Sequence, residues 1–363
     1  MIYSIFSRFR VPGAWLTLGT VALIFLSSCD KKKPTEPIPE AAATPEAVQE
    51  KPPATVAPQA TPQASAPTPA PRPRFVVTTK PAPAQIWKEF DGARAMAEVK
   101  RQAEIGPRPS GAAELEQARK HITSVLEPLG WEVERQEFTD QTPRGPIKFA
   151  NIIARFSADG VRPVPTNTQR AILCSHYDTK RFSTIRFVGA NDGASSTGAL
   201  LELARVLALD PALAAKIELV FFDGEEAVVQ FTETDGFYGS RHYAKALRDS
   251  KRNSQFVFGI LWDMIGDMDL TITLPPDSPA EVTNGILASA VTVGTRQHFT
   301  YFDRQIGDDH VPLNTFARIP TVDLIDFNYL WWHTADDTLD RLSPESLQKV
   351  GMTTLHYLQT KLK

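Results

Sequence analysis

The chain has 363 residues, 42% hydrophobic and 22% charged, which is ordinary globular material able to bury a sizeable core. Lys and Arg total 39 against 42 Asp and Glu, a net charge of −3, so composition gives no electrostatic basis for binding nucleic acid. There are only two cysteines, Cys29 and Cys174, too few for a disulfide framework.

Met1 to Cys29 carries Arg8 and Arg10, then the apolar stretch Trp15 to Leu26, then Leu26-Ser27-Ser28-Cys29 ahead of Asp30 and the run Lys31-Lys32-Lys33. A basic start, a short apolar core and small residues mark a secretory signal, because a spanning helix needs about 20 apolar residues. The pattern resembles a bacterial lipobox. That resemblance implies a signal peptide over 1–28, lipidation of Cys29, and an exported, lipid-anchored protein of the bacterial cell envelope. Asp30 resembles an inner-membrane retention signal. With Cys29 lipidated, Cys174 has no partner within the chain, and its apolar surroundings in AILCSHYD make it a small buried hydrophobe.

Residues 29–85 are rich in Pro, Ala, Thr and Gln and cannot bury enough surface to offset their ordering entropy. They read as a tether; about 55 residues at roughly 3.1 Å each extend on the order of 170 Å. The folded part is expected over 86–363. Asp91 to Ile105 and Ala112 to Leu126 show helical apolar spacing, separated by GPRPSG, with Pro128 closing the second. Trp131 to Phe138 and Phe149 to Phe156 alternate as strands, and Ala171 to Ser175 is a short buried strand running into His176-Tyr177-Asp178.

Gly193 to Leu209 is amphipathic, with Asp192 just before its start. The stretch Lys216 to Glu226, KIELVFFDGEE, organises the rest. A β-branched and aromatic run, interrupted only by Glu218, stops at Asp223-Gly224 and two adjacent carboxylates, which is the pattern of a buried strand ending at a site. After it come a helix near Ser240 to Asp249, the strand Phe256 to Trp262 ending at Asp263, a helix over Pro279 to Gln297, the strand Thr321 to Ile325 and a closing helix Pro344 to Lys363. Strands alternating with helices predict an α/β three-layer sandwich: a mixed, mainly parallel central sheet flanked on both sides.

Polar residues recur at the ends of these strands: His176 and Asp178, Asp192, Glu225 and Glu226, Asp263, and His333. Imidazole and carboxylate without thiolate suit catalytic zinc with open positions for substrate. Each has a plainer role available, as a strand-end hydrogen bond, a helix cap or a turn residue. It is their recurrence at one sheet edge that points to a metal centre.

The series HYDTK, VGANDGAS, FFDGEEA, DGFYGSRHYA, LWDMIGD, GDDHVP and WWHTADDTLDRL resembles the animal-type glutaminyl-peptide cyclotransferases, which share a fold with the di-zinc aminopeptidases. The likeness runs from about Gly106 to the C terminus. It implies that Asp192, Glu226 and His333 hold one zinc and that Glu225 is the general acid/base. Asp263 and Asp308 match the carboxylates hydrogen-bonded near it, and Asp178 the residue that orients His176. Trp332 matches the aromatic wall of the substrate pocket, to which Phe231, Ile306 and Asn328 are assigned. Phe231 stands where the animal enzymes have Trp, and Asn328 where they have Phe.

The expected reaction is cyclisation of an N-terminal glutamine of peptides or proteins to pyroglutamate with loss of ammonia, by a monomer. The rival is an exported aminopeptidase with two zincs, in which His176 and Asp263 become ligands of the second metal and Asp192 bridges. A catalytically inert binding module is disfavoured because no expected ligand is missing.

Overall fold

The computed structural model describes residues 81–156 and 168–362; the expected signal sequence, Cys29 and nearly all of the expected tether lie outside them. The first buried residue among those described is Ile86. In chain order the elements are α1 (Gly92–Ile105), α2 (Ala113–Leu126), β1 (Trp131–Thr142), β2 (Gly145–Phe156), β3 (Arg170–His176), α3 (Ser196–Leu207), α4 (Pro211–Ala214), β4 (Ile217–Phe222), α5 (Tyr238–Asp249), β5 (Phe256–Asp263), β6 (Ile272–Leu274), α6 (Ala280–Val293), β7 (Phe299–Tyr301), α7 (His310–Pro312), β8 (Thr321–Ile325) and α8 (Pro344–Leu362). No helix of the described residues is long and apolar enough to cross a membrane.

The strands form one sheet in the order β1-β2-β4-β3-β5-β8-β6-β7. β4, β3, β5 and β8 run parallel, while β1 and β2, β2 and β4, and β6 and β8 pair antiparallel. The expected mixed, mainly parallel sheet is therefore present. Alternation along the central strands sends side chains to two cores. Leu173, Leu219, Phe221, Ile260 and Trp262 pack with residues of α1, α2, α3, α6 and α8. Ile172, Cys174, Val220, Phe222 and Leu261 pack with Tyr243, Ala244 and Leu247 of α5 and with Leu313, Ala317 and Ile319. This two-sided cover explains why every residue of β4 is buried. Burying each large apolar side chain contributes about 1.5–3 kcal/mol.

Glu218, the one charge in β4, is fully buried but not alone. It accepts from Arg155 Nε at 2.6 Å, Arg252 Nη2 at 2.8 Å and the Tyr243 hydroxyl at 2.5 Å. Two guanidiniums and a phenol satisfy what would otherwise be a costly buried carboxylate.

Several boundaries depart from the sequence expectations for identifiable reasons. The helix expected to run to Gln297 stops at Val293, because Gly294 adopts a left-handed φ of 82° and caps it. The helix expected from Gly193 begins only at Ser196; residues 190–195 form a wide turn with Asp192 and Gly193 out of helical geometry. β1 and β2 are each 12 residues long and meet in a tight hairpin where Thr142 pairs with Gly145. The three-residue strands β6 and β7 were not anticipated; they are too short to show a period.

Candidate metal centre and active site

The site lies beyond the carboxyl ends of the parallel strands. His176 is the last residue of β3 and Asp263 the last of β5. Glu225 and Glu226 follow β4 across Gly224. That glycine has φ 71°, and an added Cβ would stand 2.6 Å from the Phe149 ring, so both backbone and space require Gly there. His333 lies in the loop after β8, itself at a left-handed φ of 57°. Such strain in a non-glycine residue persists where surrounding contacts enforce it.

Asp192, Glu226 and His333 converge, with one ligand atom from each lying within 4.8 Å of the others. His333 Nε2 is 3.0 Å from Glu226 Oε1 and 3.4 Å from Asp192 Oδ2. Donor atoms around a tetrahedral zinc, at bond lengths of about 2.0–2.2 Å, stand roughly 3.3–3.6 Å apart. Asp192 Oδ2 and Glu226 Oε2 are buried without a hydrogen-bond partner. The Asp192–His333 separation falls in that range and the Glu226–His333 one is 0.3 Å short of it, so the donor set fits a zinc ion in chemistry and unmet polar capacity and closely in spacing.

A second trio shares Asp192. His176 Nε2 is 3.3 Å from Asp192 Oδ1 and 3.2 Å from Asp263 Oδ1. One carboxylate therefore spans two candidate metal positions, one oxygen to each.

Glu225 is buried beside Glu226 and His176 without belonging to either trio. Burial, then the neighbouring Glu226 carboxylate, with Asp308 and Asp309 adding, raise its proton affinity well above the usual carboxylate range, against the opposing pull of His176. Burial pulls the His333 imidazole down, but Glu226 and Asp192 outweigh it and carry it up to about 10. Asp178 accepts the backbone N–H of Glu225 at 3.2 Å and of Glu226 at 3.4 Å, and lies 3.5 Å from His176 Nδ1. It fixes the loop and the imidazole at once.

Trp332 stacks on His333, with ring centroids 4.2 Å apart and planes 23° from parallel, and is 40% exposed. Phe231 is linked to the trio through Lys180, whose ammonium sits 4.6 Å from its ring and 3.5 Å from Glu226 Oε2. Ile306 is 5% exposed and packs with Met264, Ile325 and Tyr329, backing the loop that carries His333. Asn328 is exposed on that loop, where its N–H donates to Asp326.

Sequence reasoning did not single out three supports. Asp337 accepts the N–H groups of Asn191 at 2.7 Å and Asp192 at 3.1 Å and the Tyr329 hydroxyl at 2.9 Å, joining the His333 loop to the Asp192 turn. Arg108 is buried and donates to the carbonyls of Tyr177, Val188 and Gly189, bracing the same turn from the other side. Lys180 donates to the Ala227 carbonyl at 2.8 Å. Each stands inside a quoted motif, WWHTADDTLDRL, GPRPSG or HYDTK, but its partners are far away in sequence.

The sequence pattern of Peptidase family M28 matches residues 151–358, which spans β2 to α8 and every residue of the centre. The chain belongs to this family. Among its curated relatives is the glutaminyl-peptide cyclotransferase of Drosophila melanogaster, 31% identical over 259 residues, 64% of this chain and 70% of that protein. The crystal structure of Fimbriiglobus ruber glutaminyl cyclase superposes with a TM-score of 0.67 at 30% identity, covering 75% of this chain and 96% of that one. A Zn-dependent exopeptidase from Parabacteroides distasonis also matches, with a TM-score of 0.67 at 27% identity over 74% of this chain and 98% of that one. The expected kinship with the glutaminyl cyclases and the zinc aminopeptidase-like fold both hold.

Proposed function

We propose that this member of family M28 converts the N-terminal glutamine of peptides to pyroglutamate with release of ammonia, as a zinc-dependent glutaminyl-peptide cyclotransferase. The observation that carries it is Trp332, stacked on the His333 ring and 40% exposed beside the metal trio, where a glutamine side chain could fold back on its own amine. Relatives bearing the cyclotransferase name support the same reading.

Asp192, Glu226 and His333 would hold the zinc, which when bound supplies Lewis-acid polarisation of the γ-carboxamide carbonyl. The nucleophile and electrophile belong to one residue, so Trp332 and Phe231 need only hold the side chain curled, an advantage of position rather than of reactivity. The bond from the α-nitrogen to the δ-carbon forms and the bond from that carbon to the amide nitrogen breaks. Glu225 takes the proton released by the α-nitrogen and returns one to the departing nitrogen. Its raised proton affinity, from burial and from Glu226 with Asp308 and Asp309, suits a group that must do both. Asp263 and Asp308 lie in the same acidic neighbourhood and would sustain that affinity.

The spacing of His176, Asp192 and Asp263 favours a second reading, an aminopeptidase with two zincs. The discriminating experiment incubates the zinc-loaded protein with a glutamine-initiated peptide. Ammonia and a pyroglutamyl peptide support cyclisation; free glutamine and a shortened peptide replace it with the peptidase.

The placement at the membrane is likewise our proposal. Arg8 and Arg10, the Trp15 to Leu26 stretch and Cys29 support a lipid anchor in the bacterial cell envelope, with residues 29–85 as tether. A Cys29→Ser chain that still incorporates labelled lipid would dismiss the anchor.

A further inference from the structure

The aromatic surface that starts at the metal trio does not stop at Trp332. The Phe327 ring lies 5.2 Å from Trp332, tilted by 50°, and the Phe302 ring lies 5.7 Å from Phe327, turned 69° to it. Trp332 is 40% exposed, and Phe327 and Phe302 are each half-buried against the cluster that holds Ile306. Three rings in series thus link the His333 imidazole, on which Trp332 stacks, to the guanidinium of Arg304, 5.1 Å from the Phe302 ring.

The two phenylalanines are mounted on strand ends. Phe327 follows β8, and its N–H donates to the Thr273 hydroxyl of β6 at 3.2 Å, which in turn donates to the Ile325 carbonyl at 2.9 Å. Phe302 follows β7, and its N–H donates at 2.8 Å to the carbonyl of Leu274, the last residue of β6. Hydrogen bonds of the sheet therefore hold both residues, so the ordering cost of a contact with these rings falls mainly on the ligand. Rigid, partly exposed aromatic rings of this kind supply much of the binding energy where proteins recognise peptides.

We propose that Phe327 and Phe302 form, with Trp332, a subsite for the residues that follow the substrate's N-terminal glutamine, selecting peptides with an aromatic side chain at the third position. The proposal rests on the reading of this site as one for N-terminal glutamine and names the peptide class within it. The occupant follows from continuity: Trp332 is the wall against which the glutamine curls, so the surface begins where the first residue is held. An extended peptide returns to the same face every second residue, which puts the third side chain about 7 Å from the first. Phe327 stands 5.2 Å from Trp332 and Phe302 one 5.7 Å step from Phe327, so that side chain meets these two rings. An aromatic ring there gains edge-to-face contact, worth about tenfold in affinity over alanine.

The test measures binding by calorimetry on the zinc-loaded Glu225→Gln chain, so that the result does not depend on which reaction the wild type performs. The ligands are Gln-Ala-Ala-Ala, Gln-Ala-Phe-Ala and Gln-Phe-Ala-Ala. Gln-Ala-Phe-Ala should bind about tenfold tighter than Gln-Ala-Ala-Ala, and adding Phe302→Ala should cut that ratio to about twofold or less. Phe302→Leu keeps apolar packing against the Ile306 cluster while removing the ring, and should cut the ratio likewise even if the alanine variant folds poorly. Free glutamine released from Gln-Ala-Phe-Ala by the wild type would overturn the cyclotransferase reading, while the ratio would still report on the subsite. Equal affinity for the three peptides, a gain confined to Gln-Phe-Ala-Ala, or a ratio that Phe302→Leu leaves unchanged overturns the subsite. So does a wild-type dimer that Phe302→Leu dissociates, because a second copy then covers these rings.

Discussion

Replacing Glu225 by Gln separates proton carriage from metal binding, because the geometry keeps the two apart. Glu225 belongs to neither metal trio, and its backbone is held from both sides: the N–H by Asp178 Oδ1 at 3.2 Å, the carbonyl by the Phe237 N–H at 2.8 Å. An amide of the same shape therefore occupies the same place. What vanishes is the capacity to take and return a proton, worth about 10²–10⁴-fold in rate, or roughly 3–5 kcal/mol of barrier. Zinc content should be unchanged. Thermal stability should hold or rise, since the substitution removes a buried carboxyl beside Glu226, Asp308 and Asp309. The assay follows ammonia release from a glutamine-initiated peptide alongside zinc stoichiometry and a melting curve. A kcat within about threefold of wild type would deny Glu225 its part in the reaction; lost zinc would mean that the two glutamates have been assigned the wrong way round.

Glu226→Ala and His333→Ala should each retain little zinc after dialysis, and zinc bound as tightly as in wild type would remove that residue from the ligand set. Asp337→Ala deletes the acceptor of two N–H groups and a hydroxyl, each worth about 1.5–3 kcal/mol at a charged partner. It should lower stability by several kcal/mol and loosen zinc, and an unchanged melting temperature with unchanged zinc affinity refutes its bracing role. Glu218→Gln should destabilise by about 1.5–3 kcal/mol by removing the charge that Arg155 and Arg252 share, Arg155 keeping only Glu134. Burial raises the Glu218 carboxyl, but the two guanidiniums and Tyr243 outweigh it and hold it below its ordinary value. Its stabilisation is therefore complete above the unfolded value and lost as pH falls through the folded one. The gap between wild type and Glu218→Gln should be constant near neutrality and close on acidification below about pH 4.5; a gap independent of pH would refute the pairing.

The parts of this protein that could be read from its sequence are those whose cause is local. β4 announces itself because six residues buried on both faces must be nearly all apolar, and the strand must end where Gly224 turns the chain. The carboxylates and histidines of the centre follow, since strand ends are where such a sheet places reactive groups. The turn at residues 190–195 could not be read, because the groups that hold it, Asp337 and Arg108, lie 145 and 81 residues from their partners Asp192 and Gly189. The helical pattern after Gly193 is real from Ser196 onward, but Asp192 and Gly193 leave helical geometry where a distant carboxylate holds the N–H groups of Asn191 and Asp192. Asp323 was hidden differently. In the string Thr-Val-Asp-Leu-Ile an Asp among apolar residues fits the solvent face of a half-buried strand, and only the packing of α6 and α7 against β8 reveals that every residue of the strand is buried.

The same geometry explains why residue identities alone could not separate the one-zinc cyclase from the two-zinc peptidase. Asp192 gives one oxygen to His333 and the other to His176, and the two separations differ by 0.1 Å (3.4 and 3.3 Å). Burial depresses the His176 imidazole, but Asp263, Asp178 and Asp192 together lift its proton affinity well above the ordinary value. An imidazolium there supplies a positive charge to the same carboxylates that a second zinc would neutralise. A proton on His176 and a metal on His176 are thus exclusive alternatives for one electrostatic task, since a ligating nitrogen must be deprotonated.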